Sequence, residues 1–174
     1  SIVHDEEDLI PKMKVTQQEA LNSFGSDEIY LEKFLDSPRH IEVQVLADNF
    51  GNALHFFERD CSIQRKNQKI VEEAPALNIP EDKKQELFKL CTECCKKMKY
   101  KGAGTFEFLY KDEEFYFIEM NTRLQVEHTV SEMITDFDLV KLQIGIAAGE
   151  KLKISQKDIS VRGHAIQCRI NAEH

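Results

Sequence analysis

The sequence has little of what marks non-globular chains. It contains 7 glycines and 4 prolines in 174 residues, with 41% hydrophobic and 31% charged side chains, which excludes collagen-like, low-complexity and disordered chains. No apolar run approaches the ~18 residues of a membrane-spanning helix. The segment Ser1–Asp8 is acidic where a secretory signal would be basic and then apolar. We therefore expect one soluble domain without a membrane partner.

Positive charge and an even set of cysteines are also lacking. Lysine and arginine number 23 against 31 acidic residues, a net charge of -8, which weighs against nucleic acid or anionic lipid as the main partner. An odd count of 5 cysteines without a secretory context favours a reducing, cytoplasmic compartment. The cluster Cys91, Cys94 and Cys95 leaves a zinc site open, but its helical spacing favours small core residues.

Hydrophobic periodicity predicts strands interspersed with helices. The predicted helices are Thr16–Phe24 (with Thr16 as N-cap), Glu81–Met98 and Asp138–Ala148, and the predicted strands are Ile29–Leu35, Arg39–Ala47, Ala53–Arg59, Ile70–Ala74, Ala103–Tyr110, Phe115–Met120 and Val161–Ile170. Arg39–Ala47 alternates apolar and polar residues, which predicts one polar, solvated face. Asp60–Lys69 is predicted to be irregular. This order indicates an α+β fold with a mostly antiparallel sheet flanked by helices.

Two glutamates in one predicted hairpin are the most informative feature of the sequence. A three-residue loop, Asp112–Glu114, would place Glu107 directly across from Glu119. One face would then be entirely apolar, with Phe106, Phe108, Tyr110, Tyr116, Ile118 and Met120. A two- or four-residue loop would bury one of the glutamates in that face, so the hydrophobic pattern selects the three-residue loop.

The polar face of this hairpin predicts a metal site. Opposed like charges are unfavourable unless a cation lies between them. Glu107, Glu119 and Asn121 offer oxygen ligands, which suit Mg²⁺ or Mn²⁺. Because Mg²⁺ usually also binds substrate phosphates, this set predicts a nucleotide ligand. A solvated carboxylate pair on an exposed hairpin remains the alternative.

Two segments could supply the cations of an anion site. In Thr122–His128, Arg123 could hold a planar anion and Glu127 could act as a base. The segment Arg59–Lys69 carries Arg59, Arg65, Lys66 and Lys69 against one aspartate. This local reversal of charge is what a phosphate or bicarbonate site needs. A solvated basic loop remains the alternative.

An ordered series of motifs resembles the biotin carboxylase family of the ATP-grasp superfamily. The matching stretches are Tyr30–Leu35, Pro38–Gln44, Arg59–Lys69, Glu72–Pro75, Gly102–Phe108, Phe117–His128 and Arg162–Glu173. The resemblance covers nearly the whole chain and is most like the separate biotin carboxylase subunit of bacterial acetyl-CoA carboxylase. Propionyl-CoA, pyruvate and methylcrotonyl-CoA carboxylases share these motifs, so the final acyl acceptor stays open.

The resemblance implies a role for each matching residue. The family forms carboxyphosphate from ATP and bicarbonate and carboxylates biotin on a carrier protein. The implied ATP-binding residues are Glu32, Lys33, Phe34, Leu35, His40, Gln64 and Asn67; the implied Mg²⁺ ligands are Glu107, Glu119 and Asn121; the implied bicarbonate and biotin residues are Lys69, Arg123, Gln125, Val126 and Arg169. Of these, Arg123, Glu127 and Arg169 would be catalytic, with Glu127 as the base and Arg169 stabilising carboxyphosphate or the biotin enolate.

The resemblance also implies what the sequence lacks. The family's glycine-rich phosphate loop and its N- and C-terminal domains are not in residues 1–174, so we expect a partial ATP-grasp domain, its C-terminal half, that is inactive alone. Asn67 stands where many relatives have histidine, and Thr129 where proline is usual, which would loosen the loop that carries Glu127. Carboxyltransferase subunits and a homodimer are the implied partners. A non-catalytic interaction domain and a simple metal-binding module are the competing interpretations.

Overall fold

The computed structural model describes residues 1–172, which divide into two units, Ser1–Asp36 and the chain from Ser37 onward. The first unit contains helix α1, Glu6–Phe24, which begins after the N-cap Asp5 and ends at Gly25. The predicted end of this helix is confirmed, but the predicted N-cap Thr16 lies in its interior. The predicted start of the helix is too late because Pro11 lies within the helix, where proline is unusual. Ile29–Leu35, predicted as a strand, is irregular.

The second unit is built on one antiparallel sheet with helices on both faces. Its strands are β1 (Arg39–Ala47), β2 (Ala53–Arg65), β3 (Gln68–Ala74), β4 (Gly102–Lys111), β5 (Glu114–Asn121) and β6 (Ala165–Cys168), in the spatial order β5-β4-β1-β2-β3-β6. Its helices are α2 (Glu81–Met98), α3 (His128–Thr135) and α4 (Leu139–Ala147), with a short 3-10 turn at Gln156–Asp158. The predicted α+β class with a mostly antiparallel sheet is therefore confirmed.

The core is divided between the two faces of the sheet. Helix α2 contributes Leu87 and Phe88 to a cluster with Val43 and Val45 of β1. On the other face, α4 packs against a cluster that includes Leu46, the neighbour of Val45. Because consecutive strand residues point to opposite faces, β1 is buried on both sides. The predicted solvated face of Arg39–Ala47 is therefore wrong, and its polar residues Glu42 and Gln44 are fully buried.

Asp60–Lys69 is regular in the structure, contrary to the prediction. It completes β2, turns at Lys66 and Asn67, and begins β3. Residues in this stretch form a β-hairpin, with Arg65 opposite Gln68. At the other end of the chain, β6 is shorter than the predicted strand Val161–Ile170. Helix α3 was not predicted at all.

The hairpin of β4 and β5 reaches the predicted pairing by a different route. Glu107 does lie opposite Glu119, as predicted. However, the loop is the two-residue turn Asp112–Glu113, both with positive φ, and a β-bulge at Ile118 restores the offset. As a result, Phe115 and Phe117 contact Tyr110 and Phe108, while Ile118 is exposed instead of buried in the predicted core face.

The cysteine cluster belongs to the core. Cys91 and Cys95 are buried on the inner face of α2 beside Phe88, and all five cysteines are free thiols. Burial raises the pKa of the Cys95 thiol to about 12. Cys91 and Cys95 are therefore neutral core groups, which favours the predicted core interpretation over a zinc site.

No helix among residues 1–172 combines the length and the apolar character needed to cross a bilayer.

A buried histidine predicts how stability depends on pH. The His55 ring stacks on Phe88 with centroids 4.2 Å apart, and burial lowers the pKa of His55 from 6.5 to about 4. Between these values the unfolded chain binds the extra proton, so the free energy of unfolding falls as pH falls. We expect a loss of about 3 kcal/mol between pH 7 and pH 4 from this residue.

Urea denaturation at several pH values checks this prediction. His55→Gln should flatten the pH dependence between pH 6.5 and 4. The control His4→Gln, at an exposed position, should show the same dependence of unfolding free energy on pH as the unmodified chain. Equal slopes for His55→Gln and the unmodified chain would contradict the assignment.

Candidate active site

A polar cleft of about 380 Å³ opens beside the middle strands of the sheet. Most of the residues with predicted roles line it: His40, Asn67, Lys69, Glu107, Glu119, Asn121, Arg123, Gln125, Val126, Glu127 and Arg169. Two larger depressions, of about 490 and 410 Å³, lie near the turn that contains Asn49. Volume therefore does not single out the site, whereas the density of ionisable side chains does.

The carboxylate pair lies at one end of this cleft. Asn121 comes from the same end of β5, and its amide nitrogen donates to Glu107 Oε1 at 2.9 Å and to Glu119 Oε1 at 3.2 Å. A hydrogen-bond donor thus lies between the two carboxylates. Oxygen ligands in this arrangement fit Mg²⁺. For Asn121 to be a third ligand its amide must turn, because the nitrogen faces the pair.

Glu107 is buried and accepts hydrogen bonds from several side chains. Its oxygens lie 2.8 Å from His40 Nε2, 2.9 Å from Lys69 Nζ and 2.7 Å from Gln125 Nε2. Burial alone would raise the pKa of Glu107, but the bonds from His40, Lys69 and Gln125 outweigh it and lower this pKa to about 2. The carboxylate is therefore ionised at neutral pH and available as a metal ligand.

The orientation of His40 is set by Gln64. The amide nitrogen of Gln64 lies 2.9 Å from His40 Nδ1 and also donates to the Cys61 carbonyl at 2.8 Å. Since the amide nitrogen is a donor, Nδ1 accepts, and the ring proton lies on Nε2, toward Glu107. Gln64 thus acts on the site through His40.

Lys69 is the central cation of the cleft. Its ammonium lies 2.6 Å from Glu42, 2.9 Å from Glu107 and 2.8 Å from Glu127. Burial opposes its charge, but Glu42 and the other carboxylates outweigh burial and raise the pKa of Lys69. The ammonium occupies the space between acidic groups that are otherwise close enough to share a metal ion.

Behind Lys69 lies an ion pair that the sequence analysis missed. Arg59 is fully buried and donates to Glu42 at 2.5 Å and to Gln44 at 2.7 Å. Arg59 was expected to be one of the cations of an anion site, which is wrong because its guanidinium is used inside the sheet. Glu42 lies directly opposite Arg59 on the neighbouring strand, so a cross-strand pair of opposite charges was the available signal. Arg65 and Lys66 are exposed near the turn and do not line the cleft.

Glu127 lies between two cations. It is 2% exposed, and its oxygens lie 2.8 Å from Lys69 Nζ and 2.9 Å from Arg169 Nη2. Arg169 also donates through Nε to Glu72 at 2.7 Å. Arg169 is therefore shared between two carboxylates at the cleft.

Helix α3 fixes the position of Glu127. The helix begins at His128, and Glu127 is its N-cap. Thr129 was expected to loosen this segment, but it lies in the first helical turn and its hydroxyl donates to Gln167. Val130 and Ile134 of the same helix pack against Ala74. Burial of this helix therefore holds the base candidate rigidly.

Two side chains of the cleft remain open to a ligand. Arg123 is exposed, and its guanidinium donates to the carbonyl of Leu124 at 3.4 Å. Gln125 is buried, and its Oε1 has no hydrogen-bond partner within residues 1–172. A buried acceptor without a partner is costly, so a ligand with a hydroxyl group fits here.

The remaining ATP-binding predictions concern the first unit and the β2–β3 turn. Glu32, Lys33, Phe34 and Leu35 belong to the first unit, in an irregular segment. Their predicted contacts with adenine stay predictions. Asn67 lies at the β2–β3 turn and is exposed toward the cleft rim.

Comparison with known proteins identifies the family of this chain. Residues 1–155 match the family model of the carbamoyl-phosphate synthase L chain, ATP binding domain. Biotin carboxylase of Pseudomonas aeruginosa is 58% identical over 99% of this chain and 38% of its own length. A pyruvate carboxylase component of Methanothermobacter thermautotrophicus is 50% identical over 99% of this chain and 35% of its own length.

A solved structure shows the same fold. The biotin carboxylase domain of Hydrogenobacter thermophilus 2-oxoglutarate carboxylase, in complex with MgADP, ADP and bicarbonate, superposes with a TM-score of 0.89 at 49% identity, covering 99% of this chain and 38% of that one. The chain spans about 38% of the length of the bacterial biotin carboxylases it matches. It belongs to the carbamoyl-phosphate synthase L chain ATP-binding domain family and, within it, to the biotin carboxylases of the ATP-grasp superfamily.

Proposed function

We propose that this chain supplies the carboxylate- and cation-bearing part of the ATP-grasp site of a biotin carboxylase. The whole protein would form carboxyphosphate from ATP and bicarbonate and then carboxylate biotin on a carrier protein. The observation that carries this proposal is a single cleft in which the Glu107–Glu119 pair lies beside Lys69, Arg123 and Glu127. Relatives solved with MgADP and with bicarbonate support it.

The nucleotide would be held by residues from both parts of the sequence. Glu32, Lys33, Phe34 and Leu35 would contact the adenine, while His40, Gln64 and Asn67 would line the ribose and phosphates. Glu107, Glu119 and Asn121 would hold Mg²⁺, which neutralises the charge that develops on the transferred phosphoryl group. The low pKa of Glu107 favours this role, because burial is outweighed by the bonds from His40 and Lys69 and the side chain stays ionised.

Bicarbonate would be bound and activated in the same cleft, next to the carboxylate pair. Arg123 and Lys69 would hold the anion, with Gln125 and the main chain of Val126 completing the contacts. Glu127 would take the bicarbonate proton, which makes a poor nucleophile strong enough to attack the γ-phosphorus of ATP. Holding both reactants at the required distance supplies much of the rate enhancement.

Arg169 would act on the second substrate. Its guanidinium lies at the same cleft, 2.9 Å from Glu127. A cation there would stabilise negative charge on carboxyphosphate or on the ureido oxygen of biotin, which makes the biotin nitrogen a better nucleophile.

The wider assignment rests on similarity. We propose an acetyl-CoA carboxylase, active in fatty acid biosynthesis, because bacterial biotin carboxylases are among the most similar relatives. This assignment implies carboxyltransferase subunits as partners and a homodimer of the full-length protein. It also implies a cytoplasmic location, which the free thiols favour. Pyruvate and methylcrotonoyl-CoA carboxylases are also similar to this chain, so they are the second candidates. Propionyl-CoA carboxylase, which shares the motifs, is a further one.

Titration of the chain with Mg·ATP, followed by amide NMR, tests the proposal. We expect shifts near Glu32, Lys69 and Glu119, and Glu119→Gln should weaken binding by about tenfold or more because a metal ligand is lost. Glu119 is exposed, so this substitution spares the fold. The exposed Glu114 on the same strand gives the matched control Glu114→Gln, which should bind as the unmodified chain does.

Two results would oppose this function. The absence of any shift near these residues at high Mg·ATP would favour a non-catalytic interaction domain. Tight Mg²⁺ binding that is indifferent to nucleotide would favour a simple metal-binding module.

A further inference from the structure

Glu72 is a buried carboxylate at one end of a line of alternating charges. The side chain is fully buried on β3, and its Oε1 accepts a hydrogen bond from Arg169 Nε at 2.7 Å. Arg169 Nη2 in turn lies 2.9 Å from Glu127, whose other oxygen lies 2.8 Å from Lys69. Arg169 is therefore shared between two carboxylates, of which only Glu127 has a proposed chemical role.

The backbone places Glu72 and Arg169 together. Strands β3 and β6 pair with Glu72 opposite Gln167, and the Arg169 amide donates to the Ile70 carbonyl at 2.9 Å just beyond the end of β6. Arg169 thus lies opposite Ile70, two residues along β3 from Glu72, and its long side chain reaches Glu72 diagonally. Its contact with Glu127 is made by the far end of the guanidinium.

The two carboxylates behave differently in the proposed reaction. When Glu127 takes a proton it loses its charge, and the pair with Arg169 loses most of its attraction. At that moment Arg169 is needed in the cleft to stabilise a new anion. Its side chain is 23% exposed, and without a second carboxylate it would be free to turn into water.

We propose that Glu72 is a positioning residue that retains Arg169 in the cleft while Glu127 is neutral. This inference rests on the proposed function for its purpose, but its geometry is independent of any ligand. The second oxygen of Glu72 has no hydrogen-bond partner within residues 1–172, so Arg169 is the ionic partner that accounts for this buried carboxylate. Lys69 needs no such residue, because Glu42 and Glu107 hold it when Glu127 is neutral.

A double-mutant experiment on the chain without nucleotide or bicarbonate tests the inference. Glu127→Gln mimics the protonated base, and the readout is the exchange rate and chemical shift of the Arg169 Nε–H at pH 7 by NMR. We expect Glu127→Gln alone to leave this proton protected. In the Glu72→Gln, Glu127→Gln double variant its exchange should accelerate by about tenfold or more, because a charge-assisted hydrogen bond is lost.

The neighbouring Glu73 provides the matched control. It lies on the same strand and contacts His164 at 3.0 Å instead of Arg169, so Glu73→Gln combined with Glu127→Gln should keep the protection. Glu72→Gln alone gives a second readout, because the Arg169 Nε–H resonance should shift when its acceptor loses charge. This readout stands even where the double variant unfolds.

Either of two outcomes would overturn the inference. Loss of protection in Glu127→Gln alone would show that Glu127, and not Glu72, holds Arg169. An unshifted Nε–H resonance in Glu72→Gln would show that the bond is absent in solution. Neither result depends on Mg·ATP binding, so the inference and the proposed function fail separately.

Discussion

Replacing Arg59 with methionine is expected to lower the free energy of unfolding by about 3–5 kcal/mol, because Glu42 loses one of its two cations and the other buried acceptors lose their donor. The Arg59 guanidinium is inaccessible to water and also bonds to Ser131 and Thr105, at 3.0 and 3.3 Å. Glu42 would keep Lys69 as its cation, but the acceptors around the missing guanidinium would lose their donor. Urea denaturation at pH 7 measures the effect.

Two companion variants make this prediction specific. Arg162→Met changes an exposed arginine and should alter stability by less than about 0.5 kcal/mol. Glu42→Met combined with Arg59→Met should recover more than about 1 kcal/mol relative to Arg59→Met alone, since an apolar pair can replace a buried ion pair. A double variant that is no more stable than Arg59→Met would show that shape, and not the unpaired charge, dominates the loss.

Replacing Lys69 with methionine should lower the free energy of unfolding about as much as replacing Arg59 does. It should perturb the carboxylates of the cleft more than the Arg59 variant does. Its ammonium lies within 3 Å of Glu42, Glu107 and Glu127, so the variant would leave these buried carboxylates with one fewer cation. We expect a loss of about 3–5 kcal/mol at pH 7. The pKa of Glu107, about 2 in the unmodified chain because bonds from His40 and Lys69 outweigh burial, should rise.

The pH dependence separates charge from packing in this variant. A carboxylate whose folded pKa is lowered stabilises the fold above its unfolded pKa of 4.5, and this contribution is lost as pH falls toward about 2. Without Lys69 that contribution shrinks, so the stability gap between variant and unmodified chain should narrow as pH falls below 4.5. The exposed Lys66 gives the control Lys66→Met, which should match the unmodified chain. A gap that stays constant with pH would refute the electrostatic account.

The elements that the sequence predicts well are those whose signals are local. Helix α2 and strand β1 have the predicted bounds, Glu81–Met98 and Arg39–Ala47. Strong periodicity marks both, and Pro80 precedes the helix, although it occupies the N-cap rather than the first helical position. Helix α3 was missed because its eight residues follow a charged segment and are too few for a clear period.

The Glu107–Glu119 pairing was predicted correctly although the loop length used to predict it was wrong. The predicted three-residue loop is one residue too long, and the bulge at Ile118 supplies the residue that the loop does not. Hydrophobic patterning constrains which side chains share a face, but it does not determine where an extra residue is accommodated. The carboxylate pair was therefore predictable from the sequence, and the aromatic contacts near the turn were not.

Burial of polar residues is the part of the site that local patterns could not provide. Glu42 and Gln44 alternate with apolar residues as an exposed face would, yet both are fully buried. Their burial depends on Arg59 from the neighbouring strand and on Ser131 from α3. These partners are distant in sequence, and only the assembled sheet shows that they satisfy one another.

The line of alternating charges also constrains how this protein can change during evolution. Glu42, Lys69, Glu127 and Arg169 each serve two or more ionic partners, so a single substitution at any of them removes one ionic partner from at least two neighbours. We therefore expect a replacement in this region to be accompanied by a compensating replacement at a neighbouring position more often than a replacement at the surface is.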